Sequence, residues 1–368
     1  MSTLSQEAGI AGIAGIAGIA GIAGIGDSDE VGINQTLLAE ALITNRDGIV
    51  GRWQNPAQTP NALPLNSPNN LERWSAAVRA SIFDFEMFSR LGFSAAGNEM
   101  SIWHLKVTAP SGSGAPGVSY KALTRFIRPT KNNFKAQLKY LNDYADLRED
   151  RAAEILAQLG TPEAFLGSIA FLHPDRTRFT LELLGAAFRL ARFVEMRLKH
   201  GLACRRPNEY SPQVQPMIQT PAHGTLPSGH ATEAFTLALV LWMLIRASGS
   251  GTYNEDSWGI QFLRQAARIA INRTVAGVHF PVDSAAGAVL GLTLGRYLVN
   301  RCQGKAKAVA WKFDGTKFSG DFDWLDLYDV PAQVQKAQAY AIALAAPELG
   351  QESPALKWLW DKALAEWP

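Results

Sequence analysis

Leu226-Pro227-Ser228-Gly229-His230 opens an apolar run and sets a hydroxyl, an unhindered backbone N–H and an imidazole at a helix start. Such a start favours anions, because its first N–H groups are unpaired and the helix dipole is positive there. Upstream stands Lys199, followed after six residues by Arg206-Pro207; downstream stands Arg273, then His279 after five residues and Asp283 after three more. Three cations, two histidines and one carboxylate can hold a tetrahedral oxyanion and move protons at it. Each has an ordinary explanation when taken singly: Ser228 is a natural N-cap, Asp283 can cap a helix starting near Pro281, and Lys199 and Arg206 can be surface charges. Their joint order argues for one anion site.

The elements that must carry these residues read as helices. Leu181, Leu184, Phe188, Ala191, Val194 and Leu198 recur at spacings of three and four, which predicts a helix over 176–200 with Lys199 in its last turn. A loop with five prolines over 202–227 follows, long enough to be functional. The run over 228–248 is almost wholly apolar beyond Phe235, the mark of a buried central helix. Further helices are expected over 257–275, 282–301, 331–346 and 354–366. On the N-terminal side they are expected at 36–42, 70–91, 134–159 and 162–171. In the 70–91 helix, Leu71, Trp74, Ala77, Val78, Ile82 and Phe85 form the expected core face. Residues 111–117 read as a Gly/Ser loop, and alternating strands are scarce. The fold class expected is all-α, a helical bundle with the oxyanion site at one end. It divides into a tail (1–26), an N-terminal helical region (27–175), the oxyanion-site core (176–303) and C-terminal helices packed on the same domain (304–368).

Composition narrows the function. A net charge of +2 over 368 residues, with the chemically interesting cations in short segments, excludes a nucleic-acid face and suits a small anion. Cys204 and Cys302 read as unpaired thiols, and no Cys/His metal spacing is present. Six Ala-Gly-Ile triplets over 8–25 are as long as a membrane span, but no basic residue precedes them and glycine recurs every third position. They read as a low-complexity tail rather than an anchor. The expectation is no integral membrane domain, no recognisable secretory signal and a cytoplasmic location by default.

The blocks Lys199-x6-Arg206-Pro207, Pro227-Ser228-Gly229-His230 and Arg273-x5-His279-x3-Asp283 resemble the type 2 phosphatidic acid phosphatase/vanadium haloperoxidase superfamily, over residues 185–300. In that resemblance Lys199, Arg206 and Arg273 neutralise the equatorial oxygens of phosphate or vanadate, and Ser228 and the Gly229 N–H bond to them. His279 bonds the central atom, as the axial ligand of vanadium or as the residue that becomes phosphohistidine, and Asp283 holds its other ring nitrogen. His230 lies on the opposite side as general acid or proton shuttle. Asn272 departs from the serine that usually precedes the block's arginine in phosphatases.

Two chemistries fit the resemblance. The preferred one is a soluble vanadium-dependent haloperoxidase, with vanadate as cofactor and hydrogen peroxide, bromide or iodide, and a small organic acceptor as partners. His223, seven residues before His230, then resembles an extra active-site histidine of algal bromoperoxidases, and its alternative reading is an ordinary loop histidine. The other is a metal-independent acid phosphatase working through phosphohistidine. The resemblance allows a homo-oligomer without fixing a subunit count.

Overall fold

The computed structural model describes residues 34–108, 114–160 and 162–368. The Ala-Gly-Ile tail and the start of the 111–117 loop lie outside the described residues. In chain order the elements are α1 (Asn34–Ile49), a 3-10 turn (Pro68–Arg73), α2 (Ala76–Phe88), β1 (Leu91–Ala96), β2 (Glu99–Thr108) and β3 (Gly117–Ile127). Then come α3 (Lys131–Ala145), α4 (Arg148–Ala157), α5 (Glu163–Gly167), α6 (Arg178–Leu202) and α7 (Pro207–Tyr210). The long helices α8 (Gly229–Ser248), α9 (Asp256–Val275) and α10 (Pro281–Cys302) follow. The chain closes with β4 (Trp311–Asp314), β5 (Tyr328–Asp329), β6 (Val334–Gln335), β7 (Ala341–Ala343) and α11 (Pro354–Leu364).

The apolar composition of α8 makes it the centre of the core: from Gly229 to Ile245 every residue except His230 is buried. Helices α6, α9 and α10 pack around it. Its contact with α10 is made by three glycines one helical turn apart. A methyl group at Gly287 would meet Ser228 O at 2.7 Å, one at Gly291 would meet Thr232 O at 2.5 Å, and one at Gly295 would meet Thr236 O at 3.1 Å. With no side chains between them the two backbones touch, and their N-terminal ends are held in register. The Ser228 N–H accordingly donates to the Asp283 carbonyl at 2.9 Å.

The expectation of an all-α fold is overturned by a five-stranded mixed sheet of order β1-β2-β3-β4-β7. β1, β2 and β3 are antiparallel, β3 pairs with β4 in parallel, and β4 pairs with β7 antiparallel. The β3–β4 pair joins strands separated by the whole helical core, a long-range pairing that a local search for helical periodicity does not register. Met100, Ile102 and His104 do alternate into the core along β2. Nδ1 of His104 lies 3.0 Å from the Tyr297 hydroxyl, and Nε2 lies 3.2 Å from the Leu349 carbonyl, which fastens the sheet to α10. Burial pushes this imidazole down to about 4.

Three helical expectations are corrected with it. Residues 331–346 hold β6 and β7 instead of a helix, because Ala341 and Ala343 pair with Phe313 and Trp311 of β4. Residues 134–159 divide into α3 and α4. The helix expected over 70–91 breaks at Trp74, which is extended, and Ser75 caps α2 by accepting the Val78 N–H. The break rotates the following face. Phe83 and Met87 are buried while Trp74, Val78 and Phe85 are exposed.

The expectation of no integral membrane domain is also corrected in one respect. Helix α8 is long and apolar enough to cross a membrane by length and composition, with a mean hydropathy of 1.4 over its best window, although 83% of that window is buried inside the protein.

Candidate active site

Helix ends deliver every residue of the three sequence blocks to one end of the bundle. Lys199 lies in the last turn of α6, Arg206 is the N-cap of α7, Ser228 is the N-cap of α8, and Arg273 lies in the last turn of α9. Asp283 lies in the first turn of α10, and His279 sits in the short connection before it. Ser228 serves its capping role as well, accepting the Ala231 N–H at 3.4 Å.

His279 is clamped on both ring nitrogens. Its Nδ1 lies 3.1 Å from Asp283 Oδ2, and that oxygen also accepts the Phe280 N–H at 2.9 Å and the Thr225 hydroxyl at 2.5 Å. Its Nε2 lies 3.0 Å from Arg206 Nη1, which can only donate. Nδ1 therefore carries the proton and Nε2 a lone pair. Burial, then the charges of Arg206 and Lys199, hold His279 well below its ordinary value. Burial raises Asp283 to about 6 against the opposing bonds from Thr225 and Phe280. At neutral pH the pair is a neutral imidazole on a carboxylate.

The three cations are almost wholly out of water: Lys199 and Arg273 are 1% exposed and Arg206 is 3% exposed. Burial depresses all three, Lys199 to about 8 and the two arginines to about 10. Lys199 Nζ donates to the Pro227 carbonyl. Arg206 donates to the carbonyls of His223 at 3.0 Å and Val278 at 2.9 Å. Arg273 Nη2 reaches the Ile155 carbonyl at 3.2 Å and Gln158 Oε1 at 2.9 Å, but its Nε and Nη1 are buried with no partner. Buried, incompletely paired cations are costly, and a polyanion would complete them.

His230 borders a small cavity. Its Nε2 donates to the Gln158 carbonyl at 3.1 Å, and with Gln158, Gly160, Pro162, Glu233 and Ile269 it lines a cavity of about 10 Å³. That is room for about one water. Burial, Arg273 and Lys199 keep His230 well below its ordinary value. His223 comes beside Arg206, with Nδ1 3.0 Å from Nη2, and burial lowers it to about 4.

Several participants carry no signal in the sequence blocks. Gln158, just past α4, takes hydrogen bonds from Arg273, Asn272 and His230 and so ties His230 to the cation at the end of α9. Asn272 also accepts from Arg151 at 2.9 Å, so the residue that departs from the phosphatase pattern shares the Gln158 oxygen with the arginine beside it. Thr225 braces the His279–Asp283 pair. Glu195 is wholly buried one turn before Lys199, and a methyl group at Gly229 would meet its Oε1 at 2.6 Å. The glycine is thus demanded by Glu195 as well as by any bound anion. Burial and Glu233 raise the Glu195 carboxyl well above its usual range, against the pull of Lys199. An acid one helical turn from a basic residue on a buried face is a legible signal for this contact; Gln158 and Thr225 have none.

A family model described as the PAP2 superfamily matches residues 181–307. The decaprenylphosphoryl-5-phosphoribose phosphatases of two Mycobacterium tuberculosis strains, CDC 1551/Oshkosh and ATCC 25618/H37Rv, are each 30% identical over 145 residues, 39% of this chain and 72% of the relative. A solved transmembrane PAP2 type phosphatidylglycerolphosphate phosphatase from Bacillus subtilis shares 19% identity, with a TM-score of 0.38 over 48% of this chain and 88% of that one. The curated relatives are phosphatases, which overturns the haloperoxidase reading. With it go the vanadate cofactor on His279, the peroxide, halide and organic-acceptor partners, and the halide role of His223. Nearness to soluble haloperoxidases and the cytoplasmic default find no support among these proteins.

Proposed function

The chain belongs to the PAP2 superfamily, and from that premise we propose that it is a phosphoric monoester hydrolase acting through a phosphohistidine at His279. The observation that carries this reading is the burial of Lys199, Arg206 and Arg273 at the end of the bundle that holds His279, whose Nε2 lone pair is taken by Arg206. A phosphate dianion answers both: it completes the unpartnered Arg273 donors and offers phosphorus to the lone pair.

The steps follow from the proton positions. Phosphate oxygens are taken by Lys199, Arg206, Arg273, the Ser228 hydroxyl and the Gly229 N–H, and Arg206 exchanges His279 Nε2 for an oxygen of the ligand. Nε2 attacks phosphorus, the P–O ester bond breaks, and the departing alkoxide takes a proton from His230. Burial, Arg273 and Lys199 otherwise keep His230 neutral, and a bound dianion offsets the two cations, so binding favours the charged acid. Asp283 holds the Nδ1 proton and offsets the positive charge that forms on the ring. Water, giving its proton to the now neutral His230, then attacks phosphorus and releases inorganic phosphate and free His279.

The reading extends to any monoester whose phosphate can be taken by the cage. The name of the mycobacterial relatives supports a phosphate carried on a sugar joined to a polyprenyl lipid as one such class. Incubation with p-nitrophenyl phosphate and rapid quenching should trap an acid-labile, alkali-stable phosphoenzyme on His279, and orthovanadate should inhibit turnover. His279→Ala should lower hydrolysis about a thousand-fold or more and abolish the trapped species. Full activity in that variant would overturn the reading.

A further inference from the structure

The far ends of α8 and α10 frame a second cavity, of about 560 Å³, lined by Arg246, Arg296, Asn300, Gln303, Lys305 and Lys307. It shares Arg296 and Gln333 with an adjacent apolar groove of about 260 Å³, whose walls include Leu239, Leu292, Val309, Trp311, Val334 and Leu344. The length of α8, 20 residues, separates this cavity from the Ser228-Gly229-His230 turn by about 30 Å. The two sites therefore cannot share a small ligand.

No carboxylate lines the chamber among the described residues. Asp256 pairs with Arg246 from outside it, and Glu348, whose strand bridges to Lys307, is held by Lys106 at 2.5 Å. Arg246 lies in the last turn of α8, where the negative helix end favours a cation, and Arg296 Nη2 donates to the Gln333 carbonyl. That account does not reach Lys305 and Lys307, which stand beyond the end of α10, and it says nothing of the apolar groove. A cationic chamber beside an apolar groove is complementary to an amphiphile with an anionic head.

We propose that this composite cavity binds a single-chain lipid phosphate, its headgroup among Arg246, Arg296, Lys305 and Lys307 and its chain along the Leu239–Trp311 groove. The arginine forks suit phosphate oxygens, and the lysines add point charge at the rim. Affinity comes from both halves: the head is fixed by charge, and the chain adds burial in proportion to the apolar area it covers. The site stands apart from the phosphatase reading, since none of its residues belongs to the oxyanion cage.

The test is calorimetric titration of the whole protein with dodecyl phosphate, inorganic phosphate and dodecanol, with orthovanadate present to occupy the cage. One dodecyl phosphate should bind at least about ten-fold more tightly than either inorganic phosphate or dodecanol. Lys305→Glu with Lys307→Glu, both at exposed positions, should weaken it about ten-fold or more while leaving p-nitrophenyl phosphate hydrolysis unchanged. Ala343→Trp, which fills the groove, should weaken dodecyl phosphate and not inorganic phosphate. Equal affinity for dodecyl phosphate and inorganic phosphate, or unchanged affinity in the doubly charge-reversed variant, would overturn the proposal.

Discussion

The two ends of the α8–α10 pair carry similar side chains in opposite surroundings. At the N-terminal end Lys199, Arg206 and Arg273 are packed out of water against carbonyls, a carboxylate and imidazoles. At the C-terminal end Arg246, Arg296, Lys305 and Lys307 ring an open cavity. Burial multiplies what a charge can do, because solvent no longer screens it, and it also makes the charge expensive unless a partner arrives. On the proposed function one end acts strongly on a small, enclosed anion. On the proposed second site the other holds a larger ligand and lets it go.

Exchanging single residues between these two settings should break the comparison if it is wrong. Arg273→Ala should lower kcat/KM for a phosphate monoester by about a hundred- to a thousand-fold, as the loss of one preorganised donor does, whereas Arg296→Ala should leave it unchanged. Equal losses would mean that burial is not what distinguishes the ends. Next in size is Gly291→Val, which forces a side chain against Thr232 O and should cost about 2–3 kcal/mol in urea unfolding. An exposed substitution at the far end, Lys305→Ala, should change stability by about 0.5 kcal/mol or less. The smallest effect concerns pH. Lys199 is pushed to about 8, so it loses its positive charge as pH rises through that value, and kcat/KM should fall along an alkaline limb there. Lys199→Arg, which stays charged, should move the limb upward, and an unmoved limb would assign it to another group.

The cage was more legible in the sequence than the scaffold that holds it. Lys199, Arg206, Ser228, His279 and Asp283 announce themselves because each chemistry-bearing side chain stands at a helix end, where spacing within one segment is informative. The sheet did not, because β3 meets β4 only after the helical core has been laid between them, and β4 and β7 are four and three residues long. The misplaced face of α2 has a local cause, the extended Trp74 that resets the helical phase. Gln158 was invisible for a different reason. Its side-chain amide and its backbone carbonyl reach three partners on two distant helices, and nothing at its own position in the chain requires that.

The glycine seam between α8 and α10 also bears on how the site can fail. Gly287, Gly291 and Gly295 contribute no rotamers to freeze and no side chains to loosen, so there is no intermediate degree of separation for the two backbones. The start of α8 lies at one end of the bundle and is nevertheless buried, so its amides do not sit at a fraying edge. Opening the cage from the seam side is then the same event as unfolding the molecule. Whatever loosens to admit phosphate must therefore lie on a wall of the cage other than the seam.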